Sequence, residues 1–143
     1  MDAKLFLRQL KKLDYMIENK TIERNQWKSI ATSTTAQMCG ERVQTSGSKQ
    51  KMADAVGIYM DIEREVDEYI DMLVAKKKDI ISVIEQLDAG EYDIMHKRYV
   101  QYLTIEEIAA CKNKTPSSIK GTHRAALGKV QKILDERERK KHG

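Results

Sequence analysis

The sequence predicts an all-α protein, and both its composition and its apolar spacing lead to that prediction. Helix-forming residues such as Ala, Leu, Lys and Glu dominate the 143 positions, whereas Pro116 is the only proline and aromatic residues make up 6%. With one tryptophan and one phenylalanine, the chain has few of the large rings that build a thick core. Long helices that pack along narrow apolar stripes therefore fit the composition better than a β-sheet does.

The first long helix is predicted from apolar residues that recur in alternating steps of four and three from Phe6 to Met38, with charged interruptions at Lys20 and Arg24. A repeat of about 3.5 residues stays close to the helical turn of about 3.6, so these positions form one stripe along the helix. Such a helix is not stable alone in water, because its stripe would stay exposed. The segment therefore needs a partner helix.

A second heptad pattern supplies that partner. Its members are Met52, Val56, Tyr59, Glu63, Val66, Ile70, Leu73, Lys77, Ile80, Ile84 and Leu87. Between the two patterns, residues 39–48 contain two glycines and a Thr-Ser-Gly-Ser cluster, which indicates a loop. Ser48 is predicted to cap the second helix.

These two helices are predicted to form a long antiparallel hairpin, similar to a coiled coil, over residues 1–88. In this arrangement Phe6 lies near Ile84, and each stripe covers the other. Arg24 is expected to pair with Glu63, as a contact that sets the register rather than one that adds much stability.

Residues 89–143 are predicted to form a second, smaller helical domain. Gly90 is well placed to end the hairpin, and residues 104–107 (Thr-Ile-Glu-Glu) form a capping box that starts a short helix. After a polar turn, Thr115 caps a final helix with Pro116 at its first position. The predicted inward residues of this last helix, which runs toward Asp135, are Ile119, Ala126 or His123, Val130 and Leu134.

The positive charge of the chain is concentrated in its last third. Residues 1–90 carry fourteen Lys and Arg against fifteen Asp and Glu, whereas residues 91–143 carry twelve against seven, a net charge of +5 within an overall +4. Lysine and arginine displace counterions from phosphates, so a basic terminal module is suited to nucleic-acid binding. A solvated charged face is the alternative explanation, and the basic tail at residues 137–141 either contacts phosphates or frays.

Two capped helices joined by a short turn have the layout of a helix-turn-helix. In this motif the second helix enters the major groove, where its first turns reach base edges and phosphates. The residues predicted to contact double-stranded DNA are Lys112 and Lys114 in the turn, Thr115 at the cap, Ser117, Ser118, Lys120, Thr122, His123 and Arg124 on the reading helix, and Lys129 further along.

Residues 104–109 and 114–130 resemble the C-terminal promoter-reading domain, region 4, of bacterial sigma-70-type factors. The resemblance covers residues 91–134, and the positions that fall on the family pattern include Ile119, Lys120, Arg124 and Leu127. It implies a helix-turn-helix that acts in transcription. Sigma region 4 commonly carries more long polar side chains on its reading helix, and no segment here resembles the domain that melts promoter DNA, so the resemblance implies an accessory regulator rather than a complete sigma factor.

The first half of the chain carries a second resemblance. Residues 32–35, 42–48 and 51–55 resemble an uncharacterised family encoded by phages and prophages of Gram-positive bacteria. Its members combine a helical amino-terminal half with a sigma-like carboxy-terminal half, and are similar in layout to phage late-gene transcription activators. Together the two resemblances span nearly the whole chain.

No pattern in the sequence indicates an enzyme, a metal site or a cofactor. The three histidines and two cysteines lack ligand spacing, and no nucleophile, carboxylate dyad or phosphate-binding glycine loop stands out. No segment approaches the roughly 18 apolar residues of a membrane span, and the amino terminus lacks a signal-peptide pattern. We therefore expect a soluble, cytoplasmic protein that has no membrane partner.

The hypothesis drawn from the sequence is a phage or prophage transcription regulator that binds specific DNA, with a hairpin that engages RNA polymerase or a second copy of the chain. Two alternatives stay open: a DNA-packaging recognition subunit of the small-terminase kind, and a helical assembly protein that does not bind DNA. A ring-shaped oligomer with a large-subunit partner would favour the terminase alternative.

Overall fold

The computed structural model describes the backbone of residues 1–40 and 46–143, and the side chains of residues 1–32 and 49–143. Over these residues it contains five α-helices and no strand, so the all-α prediction is confirmed. The helices are α1 (Ala3–Gly40), α2 (Ser46–Ile84), α3 (Ala89–Tyr99), α4 (Ile105–Lys112) and α5 (Pro116–His142). Across the described part of the chain, none of these helices combines the length and the apolar character that crossing a bilayer requires.

Both long helices extend into the segment that the sequence predicts to be a loop. α1 continues to Gly40 and α2 begins at Ser46, so Ser48 lies inside α2 and is not its cap. The remainder of the predicted loop, residues 41–45, lies outside the described residues.

The sequence predicts that Gly90 ends a helix. In the structure, Gly90 instead lies in the first turn of α3. Asp88 precedes this helix in an extended conformation, and its backbone N–H donates to the Glu91 carboxylate at 3.4 Å. A glutamate three residues after the cap stabilises a helix start, which explains why the new helix begins here. At the other end of the domain, α5 runs past Asp135 to His142, so the basic tail is helical.

The helices group into two compact units. The large unit combines Met1–Lys12 with Leu73–Gly143, and the two-helix unit comprises Leu13–Met72. This grouping differs from the predicted division at residue 88, because the first turns of α1 and the last turns of α2 share a core with α3 and α5.

The core of the large unit draws on four helices. Its buried members are Ala3, Phe6, Leu7, Leu10, Ile80, Val83, Ile84, Met95, Tyr99, Ala126, Val130 and Leu134. A smaller cluster joins α3, α4 and α5, and consists of Ile94, Ile108, Ala109 and Ile119. The start of α1 therefore lies against the end of α2, which is the antiparallel pairing that the heptads predict, and α5 adds a further layer.

The two-helix unit has a thinner core. Among its described side chains, the buried ones are Leu13, Ala55, Ile62 and Val66. Several large apolar side chains of this unit stay exposed, including Ile22 (50%), Met60 (55%) and Met72 (53%). Two helices alone can cover only one stripe each, so the remaining apolar residues face outward.

The buried stripe of α2 differs from the predicted heptad line in half of its positions. Both lines share Met52, Tyr59, Val66, Leu73 and Ile80, which are buried or half-buried. The other inward positions lie one residue earlier than predicted, at Ala55, Ile62, Tyr69, Lys76 and Val83. The observed line is favoured because it buries Ile62 in place of Glu63. As a consequence, Val56, Ile70 and Lys77 of the predicted line are exposed. Ile84 is buried as well, because α2 also packs into the core of the large unit at this end.

The predicted pair between Arg24 and Glu63 does not form. Arg24 instead lies 3.5 Å from the side-chain oxygen of Asn25, and Glu63 accepts a hydrogen bond from the Tyr59 hydroxyl at 3.4 Å.

An ion pair joins α1 and α2 in the two-helix unit and links Lys20 Nζ to Glu65 at 3.2 Å. Lys20 is one of the two predicted charged interruptions of the α1 stripe, and it also contacts Glu23 at 3.3 Å. Hydrogen bonds to Glu65 and then to Glu23 raise the pKa of Lys20 above its ordinary value.

Candidate nucleic-acid interface

The short helix α4 is fixed at its start by a reciprocal cap. Thr104 Oγ1 accepts from the backbone N–H of Glu107 at 3.1 Å, and the Glu107 carboxylate accepts from the backbone N–H of Thr104 at 3.3 Å. The capping box predicted from residues 104–107 is therefore confirmed. Ile108 and Ala109 on the inner face of α4 are buried, so this helix is held both by its cap and by its core contacts.

A tight turn ends α4 and directs the chain into α5. Asn113 adopts a left-handed conformation, with φ 54° and ψ 44°. The backbone N–H of Lys114 then donates to the carbonyl of Ala109 at 3.0 Å, which satisfies one of the free carbonyls at the helix end. Asparagine tolerates this backbone region better than most residues do, which explains its place in the predicted polar turn.

The start of α5 forms as the sequence predicts. Thr115 Oγ1 accepts from the backbone N–H of Ser118 at 3.1 Å, and Pro116 occupies the first helical position. The buried residues of this helix are Ile119, Ala126, Val130 and Leu134, which are the predicted inward positions. These contacts fix which side of α5 faces inward.

Six of the ten residues predicted to bind DNA are exposed around the start of α5. They are Lys114, Thr115, Ser117, Ser118, Lys120 and Arg124. Ser117, Lys120 and Arg124 follow one another at spacings of three and four, so they lie on the same face of the helix. Among the described residues, no carboxylate lies within ion-pair distance of Lys114, Lys120 or Arg124.

Lys112 has an internal partner. Its ammonium contacts the Asp93 carboxylate of α3, which Lys97 also contacts at 2.6 Å. Hydrogen bonds from Lys112 and then from Lys97 hold the pKa of Asp93 below its ordinary value. Lys112 therefore ties α4 to α3 rather than extending toward a ligand.

Lys129 has a similar structural role at the start of α3. Its Nζ lies 2.7 Å from the Glu91 carboxylate and 3.3 Å from that of Asp88. The contact with Glu91, followed by that with Asp88, raises the pKa of Lys129. Glu91 is 7% exposed, so its charge is compensated by Lys129 inside the domain.

His123 and Thr122 also bond within the protein. His123 Nε2 lies 2.7 Å from the Tyr99 hydroxyl, and the two rings stack with centroids 5.6 Å apart. Burial, followed by nearby positive charges, lowers the pKa of His123; these charges belong to Arg98, Lys4 and Arg8. The Thr122 hydroxyl donates to the carbonyl of Ser118 at 3.2 Å. The predicted ten residues thus divide into an exposed set around Lys120 and a set with partners inside the domain.

Sequence reasoning did not identify the contacts that fix the far half of α5. Gln131 accepts from the backbone N–H of Ala3 at 2.7 Å and donates to the carbonyl of Met1 at 2.9 Å. Arg137 pairs with Asp79 at 2.8 Å. These partners are separated by 58 or more positions, so no local pattern could reveal them. By contrast, the Asp93–Lys97 pair has the i, i+4 spacing that a sequence search can detect.

The comparisons with known proteins identify no relative of this chain: no family model matches its sequence, and no curated protein or solved structure is significantly similar to it.

Proposed function

We propose that α4 and α5 form a helix-turn-helix that binds double-stranded DNA, and that the protein is a transcription regulator. The observation that carries the proposal is the exposed basic and hydroxyl-bearing start of α5, opposite the buried Ile119 and Ala126. A reading helix needs this arrangement, because its inner face must be anchored while its first turns reach base edges and phosphates. Lys120 and Arg124 are the long cationic side chains of that face.

The regulatory part of the proposal rests on the resemblance of residues 104–109 and 114–130 to sigma region 4. A phage or prophage origin would agree with the resemblance of the first half. The two-helix unit is proposed to engage RNA polymerase or a second copy of the chain. The exposed Ile22, Met60 and Met72 support that role, because each leaves a large apolar side chain available for contact with a protein partner.

The test is a salt titration of binding to a fluorescein-labelled 20-base-pair DNA duplex, measured by anisotropy with the full chain. Each phosphate contact that is removed should lower the slope of log affinity against log salt by about 1. We expect Lys120→Ala and Arg124→Ala each to weaken binding and flatten this slope.

Two further variants serve as controls. Lys51→Ala removes an exposed charge from the two-helix unit and should leave the slope unchanged. Lys112→Ala should reduce the stability of the domain more than its DNA affinity, because its ammonium is already paired with Asp93. Equal slopes for Lys120→Ala, Arg124→Ala and Lys51→Ala, or no binding by the unmodified protein at about 50 mM salt, would overturn the proposal.

A further inference from the structure

A second feature of the large unit lies far along α5 from the exposed start of that helix. An open cavity of about 530 Å³ is lined by the start of α1, one residue of α2 and the last turns of α5. We call it the terminal groove and define it by Met1, Phe6, Leu134, Lys76, Lys140 and Lys141. Its volume falls in the range of about 300–1,000 Å³ that is typical of ligand sites.

The floor of the terminal groove is apolar. Met1, which is 53% exposed, supplies the accessible apolar surface, and Phe6 and Leu134 beside it belong to the buried core, with 3% and 6% of their surfaces exposed. Lys76 Nζ lies over the Phe6 ring, 5.7 Å from its centre, so a cation already covers the face of this ring. A side chain that enters the groove would therefore meet apolar surface below and positive charge at the side.

The rim of the groove carries more positive charge than its own acidic residue can neutralise. Glu138, the carboxylate that lines the groove, already pairs with the amino group of Met1, and Arg137 pairs with Asp79. Within the described residues, no carboxylate lies at ion-pair distance from Lys76, Lys140 or Lys141. Three cations therefore surround an apolar floor.

The groove is distinct from the candidate DNA interface. Lys140 follows Lys120 by twenty positions on the continuous helix α5, which corresponds to about 30 Å at the helical rise of about 1.5 Å per residue. A DNA backbone that reached the groove would offer phosphates to the lysines but no apolar group to contact Met1, the exposed apolar residue of the groove. The apolar floor thus calls for a ligand of a different kind.

We propose that the terminal groove binds an acidic peptide segment of a partner protein, with one large apolar side chain seated on the floor and flanking carboxylates paired with Lys76, Lys140 and Lys141. A peptide fits better than a small molecule does, because Lys140 and Lys141 are exposed and the groove is open, whereas small-molecule sites bury most of their ligand. The apolar side chain supplies contact area, and the carboxylates supply orientation. This inference stands whether or not α5 binds DNA.

The test uses a synthetic peptide in which one phenylalanine is flanked on each side by two aspartates, titrated into the ¹⁵N-labelled full chain. Saturable amide shifts are expected in the last turns of α5 and around Phe6, with half-saturation below about 1 mM. The double variant Lys140→Ala/Lys141→Ala should weaken binding about fivefold, as expected for the loss of two exposed ion pairs. The matched double variant Lys49→Ala/Lys51→Ala, in α2 of the two-helix unit, should bind as the unmodified chain does.

Four comparisons decide the outcome. A peptide with alanine in place of phenylalanine and one with asparagines in place of the aspartates should both bind at least about fivefold more weakly. The proposal would be overturned if either control peptide bound as tightly as the original peptide, or if the original peptide caused no saturable shift. Saturation by octanoate but not by the original peptide would also overturn it. The DNA salt slope of Lys140→Ala/Lys141→Ala should equal that of the unmodified chain; a flatter slope without peptide binding would assign the groove to DNA instead and would also overturn it.

Discussion

The large unit and the two-helix unit use parts of the same two long helices, yet they bury their apolar residues to different extents. In the large unit, Ile80, Val83 and Ile84 of α2 are fully buried, because α1, α3 and α5 all contribute to their surroundings. In the two-helix unit, Ile70 of the same helix remains 41% exposed. The comparison shows that a heptad stripe alone fills one line of contacts, and that additional helices are needed to build a core from the remaining apolar positions.

The largest effect is expected from truncating the core of the large unit. Ile80→Ala should lower the free energy of unfolding by about 2–5 kcal/mol, because a fully enclosed side chain leaves a cavity that its neighbours cannot fill. Ile62→Ala, the same change in the two-helix unit, should fall at or below the lower end of that range, since Ile62 has fewer surrounding helices. Urea titrations followed by circular dichroism measure both values.

Trp27, the only tryptophan of the chain, sharpens this comparison because it lies in the two-helix unit. Its fluorescence follows that unit, whereas circular dichroism follows all helices. Equal losses of stability for Ile80→Ala and Ile62→Ala, by both signals, would show that the two cores do not differ as described.

The next effect concerns helix ends, which matter most where helices are short. Thr104→Ala should cost about 0.5–2 kcal/mol of stability, because α4 has only eight residues and loses its cap. The same change at Thr21, in the interior of α1, removes a hydroxyl that donates to the Ile17 carbonyl at 2.7 Å and introduces a better helix former. Thermal unfolding should therefore separate the two variants, and a destabilisation by Thr21→Ala as large as that by Thr104→Ala would contradict the argument.

The large unit should also respond to pH through His123. Because the pKa of this residue is lowered in the folded protein, the unfolded chain takes up its proton first, near pH 6.5, while the folded chain resists. This histidine therefore disfavours folding progressively as the pH falls below about 6.5, and its contribution is constant above that range. The measurement is the free energy of unfolding between pH 5 and pH 8, where His123→Gln should give a flatter profile; an unchanged profile would exclude this role.

The smallest effect is expected from the ion pair between Lys20 and Glu65 in the two-helix unit. Lys20→Ala removes the contact with Glu65, but exposed pairs contribute little to stability and are screened by salt. A slight fall in the melting temperature at low salt that disappears at 1 M salt is expected. A large fall at both salt concentrations would mean that this pair, and not the apolar stripe, holds α1 against α2.

Local signals predicted much of the fold and part of the candidate site. The caps at Thr104 and Thr115 and the inward face of α5 could be predicted, because each depends on residues within a few turns of one another. At alternate positions of α2, the predicted heptad line lies one residue after the observed line. Two overlapping sets of apolar residues in α2 both recur in steps of three and four, so the spacing alone does not show which set is buried.

The candidate site was predicted less completely than the helices were. Composition and position in the predicted helix-turn-helix suggested Lys112, Lys129 and His123 as DNA contacts, but their nearest partners are Asp93, Glu91 and Tyr99. Those partners lie on α3, between 19 and 38 positions away, and only the packing of the three helices brings them together. The exposed set around Lys120 was easier to predict, because exposure on a capped amphipathic helix follows from its periodicity alone.

The hydrogen bond between Ala3 and Gln131 spans 128 positions, and it has a consequence for synthesis on the ribosome. At translation rates of about 5–20 residues per second, roughly 6 to 26 seconds separate the two partners as they are made. During that interval Phe6, Leu7 and Leu10 have no α5 to cover them, whereas the partners within Leu13–Met72 are completed much earlier. The amino-terminal segment of the nascent chain therefore exposes apolar side chains during that interval, and such surface favours aggregation or chaperone binding until α5 is made.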